Sequence, residues 1–266
     1  MKRPSFLKGA ERDGSDMTLA DHLRELRYRL VVSCGSVALL MIPAWFLYPW
    51  FLDVLNEPYC AALLAQNPDA NCDFLVVNVL DPFSLRLRVA GYGGLFLAMP
   101  ILLWQLWRFI APGLYRRERR YALAFVVTSL GLFLLGAVVA YFTLARAVEF
   151  LVQIGGPDID IRSGPVEFVR LSLFMMLAFG LGFEFPVVLL ALQLLGVVTP
   201  QQLSAWRRQT ILIIVILAAA ITPSGDPFSL AALSVPMYLF YELSILLGRL
   251  MLRRRDRSPQ PEGVAT

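Results

Sequence analysis

Long apolar runs alternate with short charged segments along this chain, and the runs predict membrane-crossing helices. They cover roughly 30–52, 85–107, 121–144, 168–198, 210–221 and 228–247. A helix needs about 20 apolar residues to cross a hydrocarbon core of about 30 Å. The run 210–221 falls short, rising only about 18 Å as helix. Either it borrows from Trp206 and its neighbours inside a sheltering bundle, or the bilayer around it is thinned.

The charges between the runs set the orientation. Residues 1–29 carry seven Lys/Arg, whereas segment 52–83 carries none against five acids. Segment 108–120 has five arginines, 145–170 three arginines against four acids, and 199–209 two arginines with no acid. The turn 222–227 has no basic residue, and 248–266 has five arginines. Basic-rich and basic-poor segments thus alternate at every loop, as the positive-inside rule requires. Six spans with both termini cytoplasmic satisfy the alternation; one more or one fewer breaks it. The expected layout is a polar N-terminal tail over 1–16, an all-α membrane domain over 17–250, and a basic, disordered cytoplasmic tail over 251–266.

Composition agrees. Of the 266 residues, 58% are hydrophobic and 17% charged, and the mean hydropathy is +0.63. A soluble domain is about 25% charged. The net charge of +4 would suit nucleic acid if the basic residues shared one face. Clustered between apolar runs they suit anionic lipid instead, and no nucleic-acid partner is expected. The first 16 residues lack the apolar core of a cleavable signal peptide.

The segment 53–83 contains Pro58, Asn67, Pro68 and Asp81-Pro82, and is expected to form an ordered extracytoplasmic cap with short helices. Cys60 and Cys72 share it and could form a disulfide in an oxidising compartment. Cys34 sits in an apolar run and is expected to pack there. With a single histidine, His22, and no CxxC pair, no metal site is expected.

No catalytic constellation is found. His22 precedes the first span, which removes the histidine of a rhomboid-type protease. Asp226 is the sole candidate for an intramembrane aspartyl pair, and no phosphate-binding GxxxxGK[ST] occurs. What remains is charge where lipid disfavours it. Glu184 lies within the fourth run, where a carboxylate costs about 2.5–3.5 kcal/mol on insertion scales unless paired, hydrated or protonated. It either accepts a hydrogen bond from a neighbouring helix or lines a water-accessible groove. Pro186 and Pro236 kink their spans and free backbone carbonyls. Glu242, near the cytoplasmic end of the sixth run, is the weaker candidate.

At the cytoplasmic face, Leu23, Leu26 and Leu30 recur at helical spacing among charges, predicting an amphipathic helix running into the first span. Glu25 and Glu118 are isolated acids among arginines. Taken alone, they read as local salt bridges of about 0–1 kcal/mol each.

Four stretches change that reading: HLRELRYRL (22–30), FIAPGLYRRERR (109–120), FGLGFEFPV (179–187) and TPSGDPFSL (222–230). In sequence and order they resemble the TatC family, the polytopic subunit of the twin-arginine protein translocase, over roughly 17–250. The resemblance implies a concave, glove-like six-helix bundle in the bacterial cytoplasmic (inner) membrane. It implies no enzymatic activity and no cofactor. The implied task is to bind signal peptides bearing two consecutive arginines, recruit single-span TatA/TatB-type subunits, self-associate in a complex, and export folded cargo on the proton motive force. The residues so implicated for signal-peptide binding are Glu25 and Glu118, with Leu23, Arg27, Phe109, Pro112 and Arg119 around them. A carboxylate accepts the planar fork of a guanidinium in a way that lysine cannot match. Glu184 and Pro186 would act within the membrane, and Pro58 and Asp226 in the cap. The chain departs from the family pattern at Leu230, where a polar residue is often found, so a polar docking contact there is not expected. Nor is the Cys60/Cys72 pair a family feature. The alternative is a small proton-coupled transporter with Glu184 as its proton site; such folds usually show internal repeats, and none is visible here.

Overall fold

The computed structural model describes residues 19–64, 79–110, 122–155, 165–222 and 226–256. These are all helical or connecting, with no strand among them. The helices are α1 (Leu19–Phe46), α2 (Tyr48–Leu64), α3 (Asp81–Ile110), α4 (Ala122–Gly155), α5 (Pro165–Phe183), α6 (Phe185–Leu194), α7 (Pro200–Ala205), α8 (Arg207–Ile221) and α9 (Pro227–Asp256). Five stretches are long and apolar enough to cross a membrane: Leu23–Phe46, Asp81–Phe109, Leu123–Ala147, Phe168–Leu194 and Pro227–Leu250. The chain is thus a multi-pass helical membrane protein.

Proline sets most of the helix starts. It occupies the first or second position of α2, α3, α5, α6, α7 and α9, where its missing N–H leaves no bond unmade. Capping side chains supply the other half of the signal. Thr199 and Gln202 form a reciprocal capping box at α7, with Gln202 N–H to Thr199 Oγ1 at 3.2 Å and Thr199 N–H to Gln202 Oε1 at 2.9 Å. Asp226, fully buried, accepts the Ser229 N–H at 2.7 Å and caps α9. At the far end of α6, Gly196 takes φ +73°. Its N–H and that of Val197 reach back to the Gln193 and Leu192 carbonyls at 3.1 and 3.0 Å, closing a Schellman turn that a Cβ would disfavour.

The runs differ from the helices in two places. The first run is broken at Leu47, so its end belongs to α2, which packs on α4. The fourth is two helices, divided at Glu184. Pro186 has no N–H to offer the Gly182 carbonyl, and Glu184 N–H bonds instead to Leu181 O at 3.1 Å, a tightened turn. Two further expectations are corrected. Cys34 is exposed rather than packed, because its side of α1 meets no neighbouring helix. The first residues of the tail, 251–256, continue α9, since Leu and Arg are good helix formers.

Tight crossings at glycine hold the bundle. A Cβ on Gly94 would come within 2.8 Å of the Met41 backbone nitrogen, which measures how closely α3 approaches α1. A Cβ on Gly136 would meet the Phe179 carbonyl oxygen at 2.6 Å, and one on Gly180 the Phe133 ring at 2.5 Å, at the crossing of α4 and α5. Lipid is as apolar as leucine, so helices in it associate through such contact rather than through hydrophobic exclusion. Around these crossings sit Phe133, Phe179, Phe183, Leu233 and Tyr241, all fully buried. By contrast α8 buries only Ile214 and Ala218. Its 15 residues rise about 22 Å.

Two outcomes are expected. Gly136→Leu forces α4 from α5 and lowers stability in detergent by about 1–3 kcal/mol, as overpacking does. Gly131→Leu, whose added Cβ would meet nothing within 4 Å, leaves it unchanged. Thermal unfolding followed by size-exclusion chromatography distinguishes them. Cys60 is disulfide-bonded and Cys72 lies outside the described residues; non-reducing peptide mapping is expected to recover Cys60 linked to Cys72, with Cys34 alkylated.

Candidate functional site

The sequence-predicted residues fall into three groups. At one end of the bundle, α1 begins at Leu19 and runs unbroken into the first span. Leu23, Arg24, Arg27 and Tyr28 are exposed on it, while Glu25 and Arg29 are half-buried. Arg29 lies one turn beyond Glu25 and closes on its Oε1 through both Nε and Nη2. Its Nη1 reaches Gln105 Oε1 on α3 at 3.3 Å. Phe109, half-buried, stands one turn beyond Gln105. The packing of α1 on α3 therefore assembles Glu25, Arg29, Gln105 and Phe109 at one end of the bundle. Glu118, Pro112 and Arg119 lie outside the described residues. Gln105 was not singled out from the sequence. Its signal was there, as a lone amide in the apolar run Pro-Ile-Leu-Leu-Trp-Gln-Leu-Trp.

The second group surrounds Glu184, at the break between α5 and α6. Its carboxylate faces the Ser129 hydroxyl of α4, and Oε1 is shielded from solvent without a hydrogen-bond partner. Ser129, itself buried, takes the Trp107 Nε1–H at 3.3 Å. Glu184 also lines a groove of about 480 Å³ whose walls include Phe174, Leu181, Val188, Leu217, Ile221 and Met237. The groove is closed on one side by α8. Pro186 is buried and lines a separate apolar cavity of about 340 Å³ between α4, α6 and α9.

The third group is at the opposite end. Pro58 falls within α2, and Asp226 is the buried cap of α9 already described. Near them Arg86 lies over the faces of Trp45 and Tyr48, its guanidinium carbon 4.8 and 5.4 Å from the ring centroids. Its Nη2 reaches the Trp45 carbonyl at 3.5 Å. Arg86 stacks on two aromatic rings because the break at Leu47 brings Tyr48 alongside Trp45. Burial pushes the Tyr48 phenol up, against the opposing pull of Arg86, and the ring stays neutral at physiological pH.

Glu242 takes part in a fourth cluster, one that sequence reasoning underrated. Arg207, at the start of α8, binds it with both arms of the fork, at 2.7 and 2.8 Å. Tyr238 donates to the same carboxylate at 3.2 Å. Nearby, Tyr241 donates to the Leu203 carbonyl, Thr210 to Tyr241 at 3.2 Å, and Arg249 to Ser204 at 2.9 Å. These contacts fasten α7 and α8 to α9, a service the poorly buried α8 cannot obtain from apolar packing. A buried amide does the same between α6 and α9: Gln193 Nε2 donates to the Ser244 carbonyl at 3.1 Å and packs on Gly248.

Chemically, the arrangement offers a carboxylate that engages guanidinium at one end and a half-buried carboxylate on an apolar groove mid-membrane. Among the described residues no cluster of His, Cys, Asp and Glu could hold a metal ion.

Comparison with known proteins follows the same lines. Residues 21–236 match the family model described as Sec-independent protein translocase protein (TatC). The Sec-independent protein translocase protein TatC of Frankia casuarinae is 37% identical over 257 residues, 93% of this chain and 71% of that protein. The protein of the same description from Aquifex aeolicus is 33% identical over 246 residues, 90% of this chain and 98% of that one. A crystal structure of a twin arginine translocase receptor, TatC, superimposes with a TM-score of 0.71 at 33% identity, covering 87% of this chain and 100% of that one.

Glu184 yields a prediction of opposite sign for stability and function. Glu184→Gln removes a charge that the apolar groove disfavours, so the melting temperature in detergent rises. Export of a folded reporter from cells falls. Export equal to that of the unsubstituted protein would mean that ionisation of Glu184 is irrelevant.

Proposed function

This chain belongs to the TatC family of Sec-independent protein translocase proteins, and on that premise we propose that it is the receptor that reads arginine-pair signal peptides. The family membership makes it a component of a protein translocase rather than an enzyme. The finer reading concerns how it recognises cargo. Glu25 and Glu118 accept the two signal arginines on the cytoplasmic face, with Leu23, Arg27, Phe109, Pro112 and Arg119 bounding the site. The surrounding arginines repel generic cations, so that only a ligand with two well-placed forks binds well.

The observation that carries this reading is the state of Glu25. It stands half-exposed at the cytoplasmic end of α1, beside Gln105 of α3, with a guanidinium already on it. A carboxylate so placed is presented to the one chemical group that distinguishes the ligand. Charge alternation supports placing this end in the cytoplasm, with both termini inside and α8 as a sixth, short span. The groove between α5, α6, α8 and α9 supports docking of single-span TatA/TatB-type subunits along a concave face, with Glu184 on its wall and Pro186, on the far side of α6, shaping the break that opens it. Pro58 and Asp226 belong to the extracytoplasmic cap. On this reading the chain acts in the inner membrane, in a self-associating complex driven by the proton motive force.

The test is binding of a twin-arginine signal peptide to the purified protein in detergent, beside a twin-lysine control. Each charge-assisted bidentate bond contributes about 1.5–3 kcal/mol. Glu25→Ala and Glu118→Ala should therefore each weaken twin-arginine binding by about tenfold or more, and leave the lysine control little changed. Equal binding of the two peptides, or none, would leave the membrane architecture standing and remove recognition from this chain alone.

A further inference from the structure

Of the three arginines that follow Glu25 or flank it on α1, two point outward. Arg24 and Arg27 are exposed, whereas the Arg29 side chain retains only 12% of its accessibility and that of Glu25 25%. Two donors of Arg29, Nε at 3.2 Å and Nη2, fall on one oxygen of Glu25. The third contact, Nη1 to Gln105, comes from a different helix. A solvated i,i+4 pair would need no such anchor. Here the guanidinium is held from both sides, on the carboxylate assigned to the ligand.

Resting on the twin-arginine reading above, we infer that Arg29 is a resident competitor: its guanidinium occupies Glu25 until a signal-peptide guanidinium displaces it, and so sets the affinity threshold of the site. The exchange breaks one fork-to-carboxylate contact and makes another of the same kind. A ligand arginine can match what it replaces, while a lysine ammonium, a point charge without the planar fork, cannot. Gln105 keeps a polar partner for the displaced Arg29, which would otherwise be left unpaired near the membrane interface. Competition of this kind scales down the affinity of every cationic segment by one common factor. Weak binders then drop below occupancy, while the ratio between two ligands is unchanged. That distinguishes competition from positioning. If Arg29 merely oriented Glu25, its loss would hurt the arginine ligand most.

The experiment compares the unsubstituted full-length protein with Arg29→Gln, Arg29→Lys, Glu25→Ala and the Glu25→Ala/Arg29→Gln double variant, all in detergent. Binding of a twin-arginine signal peptide and of its arginine–lysine counterpart is measured. Arg29→Gln should tighten both peptides by the same factor, about three- to tenfold for release of a partly buried, doubly anchored pair. Arg29→Lys, which keeps the charge but loses the fork, should tighten both by about twofold, and it carries the test if the glutamine variant folds poorly. In the Glu25→Ala background the gain should vanish. If Arg29→Gln weakens or leaves unchanged the binding of twin-arginine peptide while Glu25→Ala still abolishes it, the competitor role is overturned and the receptor reading survives. If Glu25→Ala has no effect on binding, both fall together.

Discussion

Intolerance of unpaired charge in hydrocarbon is the constraint on which the rest of this structure depends. It drives the basic residues to the segments between the apolar runs. It also makes each charge left inside conspicuous. Arg86 is accommodated by two aromatic faces and a carbonyl, and Glu242 by the fork of Arg207 and a phenol. Arg86 Nε and Glu184 Oε1 are each buried without a hydrogen-bond partner, but only Glu184 lacks a stacking or ionic partner for its charge. In a membrane an incompletely satisfied carboxylate persists only where water or a partner can reach it, and it sits on a groove that could admit either.

Because lipid supplies no exclusion force between helices, the positions of these charges rest on close contact. Gly94 lets α3 approach the backbone of α1, and that approach brings Gln105 to Arg29 and so to Glu25. The Glu25 site is thus fixed by a crossing about three turns further along the same helix pair. Gly136 and Gly180 do the corresponding work for α4 and α5, whose contact sets Ser129 against Glu184. A side chain added at either crossing would shift the groups set around Glu25 or Glu184.

The short α8 follows a different logic. With two buried side chains it has little packing to hold it, and its attachment is polar and concentrated at one end, through Arg207, Thr210 and the neighbouring α7. Its other end forms one wall of the Glu184 groove. A helix pinned at one end and lightly packed at the other can adjust its position where it walls the groove.

The sequence by itself determined what lipid can act on along a chain: the five long spans, and which carboxylates were anomalous. Proline and Asx or Thr signals also marked most helix starts, because those effects are local. Glu25 was legible as an acid among arginines, and helical spacing puts Arg29, four residues on, in reach of it. What only the packing of α1 on α3 decided is the second hold on Arg29, from Gln105 76 positions away. The division of the fourth run at Glu184 was half legible, in Pro186, but its consequence for the groove needed α8 and α9 in place. The Arg207–Glu242 clamp and the Arg86 stack were not legible at all. Both join residues 35 or more positions apart, and no pattern along a chain records a contact that exists only once separate helices have packed.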